Sequence, residues 1–274
     1  MTVGIEKLGQ ALGKLKRKKP VIHAINNWVT AADVANALHA VGARPIMAVA
    51  EEEVEDIVSR ADALVLNIGT PDPSRVKAMI AAGHRAGLLG RPIVFDPVGA
   101  GVSGFRVDAA RNLLSELKIT VIRGNAAEIG ILSGVEGELA GVDAVTGPRD
   151  RPAAARGLSR KTGSTVVLNG PQDIVANTHR MVTIDNGHPM LGQVPGTGCM
   201  LSAMIGAFAA VEPDTLVAAA AATAFFGLAG ERAATTAKGP GSFKAALLDA
   251  LFTLTPQALA GGAKIKEAKS YGEP

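Results

Sequence analysis

The only cysteine, Cys199, closes the stretch Pro195-Gly196-Thr197-Gly198 at the head of a long apolar segment. Glycine, threonine and glycine ahead of a helix let backbone N–H groups converge on an anion, and the helix dipole adds to the attraction. Phosphate is the natural guest. The competing reading is a Gly-rich loop with Thr197 as an ordinary N-cap. A thiol in that first turn is expected to have a pKa below the usual ~8.5, fit for a base or a nucleophile. The commonest fate of a lone cysteine is a buried small hydrophobe; the position after Gly-Thr-Gly favours function here.

Two carboxylates stand beside the ends of apolar runs. Asp96 follows Pro92-Ile93-Val94-Phe95 and precedes Pro97-Val98-Gly99-Ala100-Gly101; Glu128 closes Arg123-Gly124-Asn125-Ala126-Ala127-Glu128. Carboxylates at adjacent strand ends can share a magnesium ion, which keeps several waters and bridges to phosphates. The plainer roles are an Asx-type cap for Asp96 and a capping box of Asn125 with Glu128. Arg123 is read as a phosphate ligand in preference to a structural ion-pair partner.

Other chemistries lack their residues. No G-x-x-x-x-G-K-[ST] loop occurs, so a phosphate site here is not a P-loop. Gly99-Ala100-Gly101-Val102-Ser103-Gly104 matches G-x-G-x-x-G, but it follows about the fourth strand rather than the first, and the next strand ends in Ile122-Arg123. A dinucleotide-binding dehydrogenase is therefore discounted. No G-x-S-x-G elbow is present. The five histidines form no close ligand pair. His23 is read as a hydrogen-bonded strand residue, and His39, His84, His179 and His188 are assigned no chemistry. Trp28 is read as packing against a helix start.

The elements that must position these groups alternate. β-type runs fall at 20–25, 44–49, 62–68, 92–96 and 119–122, with helical segments at 30–41, 51–60, 72–88 and 106–117 between them and a first helix over 4–17. A strand–helix repeat of roughly 25–30 residues is the βαβ signature. Near-continuous apolar strands are expected to be buried on both faces. Further helices are expected at 125–132, 152–162, 197–211, 214–236 and 241–259, and further strands at 165–168, 173–177 and 180–185. Asn186-Gly187 is read as a tight turn, 134–150 as loop or short helices, and 261–274 as a frayed tail. The expectation is one α/β domain over residues 1–274, with a mostly parallel central sheet flanked by helices on both faces. Ligands of such sheets bind outside the carboxyl ends of the strands, where the candidate residues fall.

The 274 residues are 47% hydrophobic, 19% charged and only 3% aromatic. This excludes a disordered chain and calls for an aliphatic, Ala/Gly-rich core. A net charge of +3 does not indicate a nucleic-acid partner and suits anionic small ligands equally well. One cysteine excludes an internal disulfide and any multi-cysteine metal site, and it fits a reducing compartment. Lys14, Lys16, Arg17, Lys18 and Lys19 are read as a solvated helix end complementing the dipole. The first residues carry no secretory apolar region. The apolar region 200–230 is interrupted by Glu212-Pro213-Asp214, so neither half is expected to reach the ~20 residues that span a bilayer. A soluble, cytoplasmic protein with no membrane partner is expected.

Seven stretches, taken in order, resemble the hydroxyethylthiazole kinase family, the thiamine-salvage branch of the ribokinase-like superfamily. They are Asn27-Trp28-Val29-Thr30, Pro45-Ile46-Met47-Ala48, Asn67-Ile68-Gly69-Thr70, Asp96 to Gly101, Arg123 to Glu128, Asn186-Gly187-His188-Pro189 and Gly196-Thr197-Gly198-Cys199. Trp28 stands where the family usually has Tyr, Val49 where it often has His, and Asn169 where Thr or Ser is usual. The resemblance implies a ribokinase-like fold and ATP-dependent phosphorylation of a thiazole alcohol in thiamine salvage. It implies an alcohol site at Asn27, Met47, Gly69 and Gly198, and nucleotide contacts at Arg123 and Asn169. The amides of Gly196 and Thr197 would join the nucleotide contacts as part of a phosphate cradle. It further implies Mg2+ at Asp96 and Glu128, Cys199 where most of the superfamily carries an aspartate base, and a homotrimer. Two other classes are weighed beside it: a Cys199-dependent acyl-transfer enzyme, and a nucleotide-binding regulator without turnover. Among kinases the alternative is a hydroxymethylpyrimidine kinase.

Overall fold

The computed structural model describes residues 3–134, 148 and 150–268. Of the segments read as loop and tail, 135–147, 149 and 269–274 lie outside the described residues. Among the described residues the strands are β1 (Val21–Ile25), β2 (Arg44–Ile46), β3 (Ala63–Asn67), β4 (Ile93–Asp96), β5 (Val121–Asn125), β6 (Thr165–Asn169), β7 (Asp173–Ala176), β8 (Met181–Ile184) and β9 (Ile265–Glu267). They form one sheet in the order β2-β1-β3-β4-β5-β6-β7-β8-β9. β1 to β6 run parallel, and β7, β8 and β9 continue the sheet antiparallel. This is the expected mostly parallel sheet.

The side-chain period of two divides each strand between two cores. Ile22, Ala24, Val65, Val94 and Val121 face one side. There they meet α1 (Ile5–Lys18), α2 (Ala31–Val41), α8 (Thr197–Ala209), α9 (Thr215–Ala234), α10 (Pro240–Thr253) and α11 (Pro256–Gly262). Ile25, Leu64, Leu66, Phe95 and Ile122 face the other. There they meet α3 (Val54–Ser59), α4 (Pro73–Leu88), α5 (Gly104–Glu116), α6 (Ala126–Ser133) and α7 (Arg151–Thr162). Short polar side chains start several helices at the sheet's carboxyl edge. Asp72 caps α4 ahead of Pro73, Ser103 caps α5 and Asn125 caps α6.

Some expectations are corrected. The helix expected over 241–259 is two: α10 ends at Thr253, and Pro256 opens α11 with Thr255 as its cap. Proline cannot continue a helix but suits its first turn. Residues 265–267, expected to fray, pair with β8 as an edge strand. Asn186-Gly187 is not a hairpin turn; it leads from β8 into the 3-10 turn Pro189–Gln193. α9 runs 20 residues, long and apolar enough to cross a bilayer, contrary to the expectation of a shorter segment. Its most apolar stretch is 89% buried inside the protein, so it is a core helix. The basic run, by contrast, ends α1 as expected, with Lys14, Arg17, Lys18 and Lys19 exposed, and three of its lysines also have partners. Lys14 pairs with Glu212 at 2.8 Å, Lys18 with Asp62 at 3.0 Å, and Lys16 Nζ donates to the carbonyls of Phe252 and Leu254 at the end of α10.

Candidate active site

The parallel registers bring the candidate residues to one edge. Asn67 lies beside Asp96, and Asn125 beside Asn169. The N-terminus of α8 meets that edge because Gly206 lets the helix settle on β3, where a Cβ would stand 2.7 Å from Val65 Cγ2.

Asp96 is fully buried. Its Oδ2 accepts from Asn67 Nδ2 and from Ser202 Oγ, both at 2.8 Å. Its Oδ1 has no hydrogen-bond partner and lies 3.6 Å from Arg123 Nη1. Burial pushes the Asp96 carboxyl up to about 6; the Arg123 charge opposes this and the Glu128 charge reinforces it. Cys199 sits in the first turn of α8 with 8% of its surface exposed. Its sulfur accepts from Asn67 Nδ2 at 3.2 Å and Asn27 Nδ2 at 3.4 Å. The expectation of a lowered thiol pKa is corrected. Burial pushes it up, the charge of Asp96 pushes it further, and the hydrogen bonds from Thr30, Asn67 and Asn27 only partly offset this. The helix dipole is outweighed by desolvation.

Asn27 is engaged throughout. Its Nδ2 also donates to Asn67 Oδ1, and its Oδ1 accepts from the Thr30 amide and hydroxyl. Gly69 lies against it, for a Cβ there would be 2.8 Å from Asn27 Nδ2. Met47 follows β2 at the sheet edge and packs, half-buried, on the first core. Trp28, expected to pack on a helix start, is 66% exposed instead, with Arg75 Cζ 4.0 Å from its ring centroid.

Glu128 forms the expected capping box: its Oε2 accepts from the Asn125 amide, and the Asn125 side chain accepts from the Glu128 amide. Its Oε1 accepts from the Gly99 amide at 2.9 Å, which ties the β4–α5 loop to α6. Capping does not exhaust a carboxylate, which offers about four lone pairs. Two carboxylates with one buried, unpartnered oxygen fit a hard cation that completes its shell with water and phosphate. Among the described residues no three acidic, histidine or cysteine side chains form a self-sufficient metal cage.

Next to this network opens a cleft of about 550 Å³ lined by Arg123, Asn169, Asp173, Thr197, Gly198 and Phe226, among others. Its volume is that of a small-ligand site. Asn27, Met47, Gly69, Asp96, Glu128 and Cys199 do not line it. Arg123 Nε donates to Asn169 Oδ1, and Asn169 Nδ2 donates to Asp173 Oδ1 at 3.0 Å. Gly196, with φ +93, is the N-cap of α8. Thr197, weighed as that cap, is instead the first helical residue, and its hydroxyl donates to Leu191 O at 2.7 Å. The Thr197 hydroxyl is thus spent on the preceding turn. The first-turn amides of Gly198 and Cys199 have no acceptor within the helix. A side chain at Gly198 would strike Arg123, so the guanidinium lies directly over the helix start and on the cleft side of it. Sequence reasoning assigned no role to two residues of this centre. Asn67 joins Asn27, Cys199, Asp96 and Gly69 through four hydrogen bonds. Ser202, one turn after Gly198, holds Asp96. Only the polar type of Ser202 within an apolar helix could have flagged it.

The profile of the hydroxyethylthiazole kinase family matches residues 12–257. The chain belongs to the hydroxyethylthiazole kinase family. A hydroxyethylthiazole kinase of Methanocella arvoryzae is 47% identical over 261 residues, covering 95% of this chain and 98% of that protein. The solved structure of a hydroxyethylthiazole kinase from Pyrococcus horikoshii superposes with a TM-score of 0.87 at 39% identity, covering 96% of this chain and 99% of that one. A ribokinase-like superfamily protein from Enterococcus faecalis, 17% identical, covers 86% of this chain and 87% of its own with a TM-score of 0.61, a likeness of fold alone. The fold of this hydroxyethylthiazole kinase family member is therefore ribokinase-like.

Proposed function

We propose that the chain transfers the γ-phosphoryl group of ATP to the hydroxyl of 4-methyl-5-(2-hydroxyethyl)thiazole, in thiamine salvage, as one kinase domain over residues 1–274. The observation that carries the site reading is the buried Asp96 Oδ1, without a hydrogen-bond partner and ion-paired with Arg123 at 3.6 Å beside the start of α8. Phosphoryl transfer asks for positioning and charge neutralisation more than covalent help. Asp96 and Glu128 would hold Mg2+, which neutralises phosphate charge. The amides at the start of α8, from the Gly196 cap to Cys199, would cradle phosphate oxygens, with those of Gly198 and Cys199 free and that of Thr197 leaning on the Val194 carbonyl at 3.5 Å, and Arg123 offsets the remaining charge. Asn169 orients Arg123 at the nucleotide side. Asn27, Met47, Gly69 and Gly198 border the alcohol, and the half-buried thioether of Met47 suits a flat sulfur heterocycle.

The alcohol oxygen attacks the γ-phosphorus, the bond to the β–γ bridging oxygen breaks, and ADP leaves. Cys199 stands beside the attacking hydroxyl. With its pKa raised, the thiol stays protonated near neutral pH and orients the alcohol. The hydroxyl proton then leaves late, to a phosphoryl oxygen. The same raised pKa weighs against an acyl-transfer nucleophile. A homotrimer is supported by exposed apolar side chains at the sheet's carboxyl edge: Trp28 and Val29 after β1, Val102 after β4 and Phe105 in the first turn of α5. A reducing, cytoplasmic location fits the single buried thiol.

The test is ATP consumption against thiazole, pyrimidine and sugar alcohols. Hydroxyethylthiazole is expected to give the highest kcat/KM. Preference for a hydroxymethylpyrimidine would replace the substrate, and nucleotide binding without turnover would replace the activity.

A further inference from the structure

Arg106, in the first turn of α5, has no role in the site as described so far. Its guanidinium reaches out of the helix to three main-chain carbonyls: Nη1 donates to Ile68 and to Val98, both at 2.9 Å, and Nη2 donates to Gly69 at 2.8 Å. Ile68 and Gly69 belong to the loop after β3, and Val98 to the loop after β4. The guanidinium also lies on Gly99, whose φ is +73 and where a Cβ would stand 3.1 Å from Arg106 Nη1. Among the described residues no carboxylate forms an ion pair with Arg106, so its charge is spent on carbonyl dipoles.

Each loop it grips continues into a different half of the site. On one side, the Gly69 amide donates to Asn67 Oδ1, and Asn67 holds both Cys199 and Asp96. On the other, the Gly99 amide donates to Glu128 Oε1. We propose that Arg106 is a positioning residue that sets the alcohol-side loop at Gly69 and the metal-side loop at Gly99 in register with each other. A planar fork with fixed donor directions can hold three carbonyls at once; a lysine ammonium on a flexible stem cannot reproduce that geometry. The inference rests on Gly69 bordering the alcohol and Glu128 serving the metal.

Arg106→Lys and Arg106→Ala test it, with hydroxyethylthiazole binding to the nucleotide-free protein measured by calorimetry. Both variants are expected to bind the thiazole about tenfold more weakly and to need about tenfold more Mg2+ for half-maximal rate, the scale of a misplaced supporting contact. KM for ATP is expected to move less than about twofold, because Arg106 does not line the nucleotide cleft. Added guanidinium ion, well below denaturing concentration, is expected to restore part of the thiazole affinity of Arg106→Ala. Variants that melt earlier but bind thiazole and Mg2+ as the parent does would reduce Arg106 to a brace and overturn the proposal. A parent protein that binds no thiazole would overturn the alcohol-pocket reading and the proposal with it.

Discussion

Ionising Asp96 puts a charge where water cannot reach it and where one oxygen has no donor. Its pKa is raised to about 6, so the folded state holds a proton that the unfolded state has already released. Stability from this group is therefore complete below the unfolded pKa of ~3.9 and is lost as pH rises through 6, on the order of 3 kcal/mol. In protein stripped of metal and nucleotide, the melting temperature is expected to fall across roughly pH 4 to 6 by more than in Asp96→Asn. At pH 8 Asp96→Asn is expected to melt no lower than the parent, while turnover falls at least about a hundredfold. Unimpaired turnover would end its assignment to the metal. Glu128→Gln should likewise lose turnover before stability. Cys199 leads to the opposite experiment from the one a first-turn cysteine suggests. Its thiol is 8% exposed and held protonated, so iodoacetamide at pH 7.5 is expected to label it far more slowly than a free thiol, and bound hydroxyethylthiazole is expected to slow it further. Labelling at the rate of a free thiol would contradict this. Asp96, Glu128 and Arg123 were legible because charge at the end of an apolar run is conspicuous. Asn67 and Ser202 were not, since their partners lie 29 and 106 residues away and leave no local pattern.

The elements were legible to the extent that they are buried. β1, β3, β4 and β6 are continuous apolar runs and emerge within a residue or two of their expected bounds. β9 is Ile-Lys-Glu, an edge strand with one apolar residue, and its identity comes wholly from pairing with β8. The break between α10 and α11 was missed because the apolar spacing continues across Pro256. Packing also explains a motif whose role the sequence left open. Asn186 Nδ2 donates to Glu231 Oε1 and to the carbonyl of Gly262, and its Oδ1 accepts from the amide of Lys264. Glu231 Oε1 also takes the Gly187 amide and Lys264 Nζ. α9, the segment leaving β8 and the segment entering β9 thus meet at one carboxylate that fixes the wall of the cleft at Asn186 and Gly187. Glu231→Ala is expected to raise KM for ATP about tenfold with thiazole affinity unchanged, since charge-assisted bonds of ~1.5–3 kcal/mol are lost on the nucleotide side only. Parallel loss of both affinities would show a general collapse instead.

At the scale of the whole molecule, the apolar side chains left uncovered are informative. Trp28, Val29 and Val102 are 66%, 73% and 81% exposed on loops beside the site. Ultracentrifugation is expected to give a particle of three 27.9 kDa chains, and Val102→Glu with Phe105→Glu is expected to dissociate it. Trp28, the only tryptophan, should report the step by a red shift of its emission; an unshifted, monomeric parent would refute the trimer. The Asn186 junction also imposes an order in time. Its closing partners, Gly262 and Lys264, follow it by 76 and 78 residues. Translation at ~5–20 residues per second delivers them several seconds after the residues of the Asp96–Cys199 network. A chain still on the ribosome can assemble that network while the wall of the cleft assigned to the nucleotide lacks its final hydrogen bonds. ATP is then expected to bind more tightly once Gly262 and Lys264 have docked on Asn186 than before.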